Sequence, residues 1–176
     1  LEALLAIEKA LPDCRIDLGQ GAWGYYPGSI EYAVRLEVLK TAKLVEEEYS
    51  SVLVFENEKL TKDLAAKCGP FLQDSLKLSH CRIDEATFET LLDTMLPDEV
   101  EVDRTKLSKK SLLYLAAHPN VAEVRCVGIA VPEELVDVAK KRGSELSISF
   151  SKCEMSKAMV EAIEKVGFDV DIYIED

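Results

Sequence analysis

A period of 24 residues constrains this chain more than any other feature. The apolar pairs Val52/Val54, Leu76/Leu78, Val100/Val102, Val124/Cys126, Ile148/Phe150 and Ile172/Ile174 follow one another at that spacing. Five positions after the first member of each pair come Asn57, Cys81, Thr105, Ile129 and Cys153. Two further on come Lys59, Ile83, Leu107, Val131 and Met155, of which only Lys59 is not apolar. Self-similarity at a fixed period of about 20–50 residues marks a chain that stacks one supersecondary unit on the next. Such a stack works by presenting a surface and only rarely by closing a cleft.

Each unit reads as strand, turn, helix, turn. The strand positions alternate, with Leu76 and Leu78 on one side and Ser75, Lys77 and Ser79 on the other, so one face is buried. Thr61, Asp84, Ser108 and Ser156 then stand where a helix N-cap is wanted, and Pro132 suits a first helical position in the remaining unit. Leu64, Phe88, Leu112, Val136 and Val160 form an apolar helix column at the same period. Gly69-Pro70, Pro97, Pro119-Asn120, Gly143 and Gly167 stop the helices. The unit is shorter than the roughly 30 residues of a βαβ crossover, which favours direct stacking of neighbours.

The spacing resembles a leucine-rich repeat of the ribonuclease-inhibitor-like class, whose pattern is LxxLxLxx(N/C/T)xL. Val121-x-x-Val124-x-Cys126-x-x-Ile129-x-Val131 follows it throughout. Leu76-x-Leu78-x-x-Cys81-x-Ile83 and Ile148-x-Phe150-x-x-Cys153-x-Met155 follow it from the second apolar position. The first apolar position is Gln73, Pro97, Glu145 or Asp169 in four units, and Ile129 replaces the ladder residue. The resemblance implies a right-handed α/β solenoid, a horseshoe with parallel strands on the concave side and helices on the convex side. It also implies an adaptor role, such as the substrate-receiving parts of ubiquitin ligases, and carries no catalytic residues.

The chain is expected to form one domain, with residues 1–48 as an N-terminal cap and irregular first repeat, and residues 49–176 as regular repeats ending in a strand. Leu1–Leu11 reads as a capping amphipathic helix, Cys14–Leu18 as a strand and Ile30–Glu48 as a long helix. The segment Gly19–Ser29 holds four of the eight glycines, the only Trp and two of the six tyrosines. Its Gly19-x-Gly21-x-x-Gly24 formally matches a dinucleotide fingerprint, but Tyr25-Tyr26-Pro27-Gly28 separates the glycines from the helix that should receive the pyrophosphate. Trp23, Tyr25 and Tyr26 form either a contact loop, since such side chains bury much area for few rotamers, or an inward seal of the first repeat.

The formal charge is −12 and the pI near 4.7. Nucleic acid and anionic membranes repel such a surface, whereas a protein with a basic segment is favoured. No apolar run reaches the roughly 18 residues of a membrane span. Five cysteines, with no zinc-type spacing, read as buried free thiols of the reducing cytoplasm or nucleus.

On the strand face turned from the helices, the alternation places Leu53 and Phe55 as an apolar pair. Glu99, Glu101, Asp103 and Glu123 form an acidic patch there, with Lys77, Arg125 and Tyr173 alongside. The candidate partner-binding residues are thus Trp23, Tyr25, Tyr26, Leu53, Phe55, Lys77, Glu101, Asp103, Arg125 and Tyr173. Neither His80 beside Cys81 nor His118 before Pro119 builds a catalytic group, and acid pairs such as Asp93/Glu99 read as surface charge. No cofactor, metal or enzymatic activity is expected. The expected function is protein recognition, with a structural subunit of a larger complex as the first alternative and a small-molecule or nucleotide-binding domain using Gly19–Gly24 as the second.

Overall fold

The computed structural model describes residues 30–46, 50–72, 74–166 and 172–173. The expected helix Leu1–Leu11, strand Cys14–Leu18 and glycine-aromatic segment lie outside them. The chain is α/β. Helix α1 (Ile30–Val38) leads to β1 (Ala42–Glu46) and β2 (Ser51–Glu56). Then α2 (Lys62–Ala66), β3 (Ser75–Ser79), α3 (Glu85–Met95), β4 (Glu99–Asp103) and α4 (Lys109–Ala117) alternate. They are followed by β5 (Glu123–Val127), α5 (Leu135–Arg142), β6 (Ser147–Ser151), α6 (Lys157–Val166) and β7 (Ile172–Tyr173). Short 3-10 turns at Gly69–Phe71 and Gly143–Glu145 follow α2 and α5.

The seven strands form one sheet in chain order. From β2 to β7 every pair is parallel, while β1 runs antiparallel to β2. The helix expected over Ile30–Glu48 therefore ends at Val38 and turns back into a strand. Ala42 and Leu44 pair with Phe55 and Leu53 and join the core. That pairing outweighs the weak helical preference of a short segment.

The register overturns one expectation. From β3 to β6, partners lie 24 residues apart, as in Leu76↔Val100, Val100↔Val124 and Val124↔Ile148. Between β2 and β3 the offset is 23: Leu53 pairs with Leu76 and Phe55 with Leu78. A strand's side chains alternate with period two, so an odd slip exchanges its faces. Leu53 and Phe55 are therefore fully buried core residues, and Val52 and Val54 lie on the opposite, half-exposed face. The same slip makes Leu60, at 2% exposure, the apolar residue after the strand, so Lys59 breaks no rule. Between β6 and β7 the offset is 22, with Phe150↔Ile172 and Ser151↔Tyr173. Tyr173 thus pairs with Ser151 and not with Ser149, where the 24-residue period would set it.

The helices begin where the caps are expected. The side chains of Thr61, Asp84 and Ser108 accept hydrogen bonds from the backbone N–H of Leu64, Thr87 and Ser111. Ser156 accepts from Met159. Pro132 does not open α5: a turn over residues 133–134 precedes Leu135, whose N–H bonds to the Pro132 carbonyl. The core runs between the sheet and the helices through Leu53, Phe55, Phe71, Phe88, Leu91 and Leu115. Among the described residues no helix is long and apolar enough to cross a membrane.

Candidate functional site

The sheet face turned from the helices carries one side chain in two from each of β1–β6. Its central row follows the register Lys43–Val54–Lys77–Glu101–Arg125–Ser149. Beside it runs Val45–Val52–Ser75, and Glu99 pairs with Glu123 and Glu123 with Ser147. Val45 is 44% exposed and, with half-buried Val52 and Val54, makes an apolar strip on β1 and β2. This strip stands where Leu53 and Phe55 were expected.

The acidic patch is present, and partly neutralised. The Lys77 ammonium lies 2.7 Å from Glu101. Arg125 reaches Glu123 at 2.7 Å and Glu99 at 3.2 Å. The hydrogen bond to Glu123, and then the nearby Glu99, hold its guanidinium above its usual pKa. The four carboxylates Glu99, Glu101, Asp103 and Glu123 thus face three cations, Lys77, Arg125 and Arg104, and the patch keeps a formal charge near −1 rather than −4. These pairs are partly exposed, so each contributes only about 0.2–1 kcal/mol. An incoming Lys or Arg could displace Lys77 or Arg125 at little cost.

Asp103 sits lower on the face. Its Oδ2 accepts from the Ser79 hydroxyl at 2.9 Å, while its Oδ1 is buried without a hydrogen bond and lies 3.7 Å from Arg104 Nε. The His80 ring nitrogen Nδ1 stands 3.1 Å from the same hydroxyl. The order is acid, hydroxyl, imidazole. In a nucleophilic triad the imidazole stands between the other two, so this arrangement orients no general base. His80 and Cys81 separate as expected: His80 is exposed, while Cys81 is buried with its thiol donating to the Phe55 and Ser79 carbonyls.

The thiols of Cys68, Cys81 and Cys153 donate to backbone carbonyls, and those of Cys68, Cys81 and Cys126 are buried. Burial pushes Cys68 up to about 12 and raises Cys81, Cys126 and Cys153 as well. A thiol so placed stays protonated near neutral pH and is a poor nucleophile. His118 is 6% exposed, packs obliquely on Tyr114, and has Nε2 3.5 Å from Asp93. Arg142 reaches back from α5 to the carbonyls of Ala116, His118 and Val121, and so closes the end of α4.

Of the expected contact residues, Lys77, Glu101, Asp103 and Arg125 come together on the open face. Leu53 and Phe55 are excluded from it. Trp23, Tyr25 and Tyr26 lie outside the described residues, and Tyr173 is placed only by its register with Ser151. The sequence reading missed Val45, Val52 and Val54, because four consecutive apolar residues at Val52–Phe55 show no alternation to reveal their faces. Comparison with family models, with curated proteins and with solved structures returned no match.

Proposed function

We propose that this chain is a non-catalytic protein-recognition module, an α/β solenoid of the leucine-rich-repeat kind that takes a partner's basic segment on its open sheet face. The observation that carries this reading is the juxtaposition on that face of the apolar Val45–Val52–Val54 strip with the Glu99–Glu101–Glu123 carboxylates. The chain-ordered parallel strands and their near-constant register support the repeat architecture. A fitting partner inserts an apolar side chain over the valines and sets Lys or Arg among the carboxylates, exchanging with Lys77 and Arg125. Trp23, Tyr25 and Tyr26 belong to the proposed surface on sequence grounds, as does Tyr173.

The test is capture from a reducing cell extract with cross-linking, comparing the parent with a Val54→Asp/Glu101→Lys variant shown by circular dichroism to be folded. The expected result is a partner cross-linked to β1–β5 in the parent and lost in the variant. A partner held equally by both, with cross-links on the helices, would show that the open face is not the site. If that partner co-purifies in fixed stoichiometry at every dilution, the chain is a structural subunit instead.

A further inference from the structure

Each parallel strand from β2 to β6 ends in a residue of left-handed conformation: Asn57, His80, Arg104, Gly128 and Lys152, with φ between 45° and 61°. The turns are stacked. The N–H of Asn57 bonds to the Ser79 carbonyl, His80 to Asp103, Arg104 to Val127 and Gly128 to Ser151, all at 2.8–2.9 Å. Two residues later, bridges Lys59↔Arg82 and Ala130↔Glu154 continue the pairing. Two exposed columns therefore run across the C-terminal ends of the strands. One is Asn57, His80, Arg104, Gly128, Lys152; the other is Lys59, Arg82, Lys106, Ala130, Glu154.

In a chain of net charge −12 these ten positions hold five Lys or Arg and one Glu. Adjacent strands lie about 4.8 Å apart, and like charges set side by side across a sheet are destabilising. The left-handed backbone adds roughly 1–2 kcal/mol at His80 and Arg104 that glycine would avoid. Across the fold, cations such as Lys67, Lys77, Lys110 and Arg125 form salt bridges. Among the described residues Lys59, Arg82 and Lys106 make none. Arg104 lies over the bare Gly128, where an added Cβ would stand 2.9 Å from Arg104 Cγ. The fold thus gives up stability to keep positive charge exposed along this rim, as proteins do where a local rule is broken for function.

We propose that the rim carrying Lys59, Arg82, Arg104 and Lys106 is a docking strip for an acidic peptide segment of a partner protein. The reading rests on charge complementarity and is independent of the open sheet face. Three neighbouring strands span about 10 Å, and carboxylates two residues apart on an extended peptide are roughly 6.6 Å apart, so two or three of them meet the cations. A polynucleotide is a worse match. Its charge continues past the strip onto Glu56, Asp84, Glu154 and an acidic body that repels it.

The probe is a fluorescein-labelled peptide of alternating Glu and Ser, about eight residues long, or roughly 27 Å when extended. Fluorescence anisotropy would follow its binding to the whole chain at low salt. The expected result is saturable binding that weakens as salt rises. It should fall about tenfold or more in Arg82→Glu/Lys106→Glu, yet persist in Lys140→Glu/Lys141→Glu, an equal charge change on helix α5. Both variants change exposed or half-exposed side chains and are checked by circular dichroism; a second pair, Arg82→Gln/Lys106→Gln, serves if charge reversal unfolds the chain. Absence of saturable binding at low salt, or equal binding by the rim variant, overturns the proposal. So does tighter binding of an oligonucleotide of equal charge, or self-association of the parent that the same rim variant abolishes.

Discussion

At the scale of single residues, Phe55 and Val54 distinguish the two faces most sharply. Phe55 is fully buried opposite Leu78, while its neighbour Val54 is half-exposed opposite Lys77. Removing a buried aromatic ring leaves a cavity as well as lost transfer energy, so Phe55→Ala should cost about 3–5 kcal/mol. Val54→Ala should cost less than about 1 kcal/mol, the range of strand propensity. Urea denaturation of both variants checks this, and equal costs would place β2 in the other register. Cys126 supplies a pH prediction. Burial, and then the nearby Cys153, raise its thiol pKa above the ordinary 9.0, and it is 1% exposed. The folded state therefore keeps this proton above pH 9 while the unfolded chain releases it. The stabilisation is complete below that value and declines as pH rises through it. Stability of Cys126→Ala should fall less steeply than the parent's between about pH 9 and 11, by up to about 1.4 kcal/mol per pH unit. Parallel alkaline limbs in a pH series of urea melts would show that the thiol ionises as easily folded as unfolded.

At the scale of elements, the column after each strand ties one strand to the next. Thr105 Oγ1 accepts from the Cys81 N–H at 2.9 Å and lies 3.1 Å from the Leu78 carbonyl, to which it donates. The Cys153 thiol donates to the Cys126 carbonyl at 3.2 Å. Thr105→Val keeps the shape and strands a buried N–H, at a cost of about 1–3 kcal/mol. An unchanged urea midpoint would mean that water replaces the hydroxyl. This column was legible in the sequence because positions 81, 105, 129 and 153 keep a constant spacing. So were the caps at Thr61, Asp84 and Ser108, whose chemistry is local. Strand β2 was not legible. Val52–Phe55 is apolar throughout, and α2 has only five residues, so nothing in that unit marks the missing position. Strand β1 was missed because Ala42–Glu46 becomes a strand only through pairing with β2. The basic rim was hidden for a different reason. Left-handed turns at His80 and Arg104 are held by the stacked hydrogen bonds, and composition alone does not announce them.

At the scale of the whole molecule, strand order equals chain order, and among the described residues each strand pairs only with its neighbours in sequence. Stability then depends on how many neighbours a strand has and how well they pair. Strand β4 lies in the middle, between fully buried Leu76 and Leu78 on one side and Val124 and Cys126 on the other. Among the described residues β1 pairs with β2 alone, and β7 pairs with β6 through two residues. Local openings should therefore start at the ends, and amides of β3–β5 should exchange most slowly with solvent. Val100→Ala in β4 separates local from global opening. The lost burial is worth about 2 kcal/mol, which speeds exchange by roughly thirtyfold where that opening exposes the amide. If strands are coupled only through neighbours, the acceleration should be largest in β3, β4 and β5. It should fade toward β1, whose opening does not require β4 to separate from anything. If instead the sheet opens as one cooperative block, the slow amides of all strands should accelerate by the same factor. Hydrogen exchange resolved strand by strand would distinguish the two. A uniform factor would mean that the core between sheet and helices, rather than the ladder of neighbouring strands, sets the stability of each part.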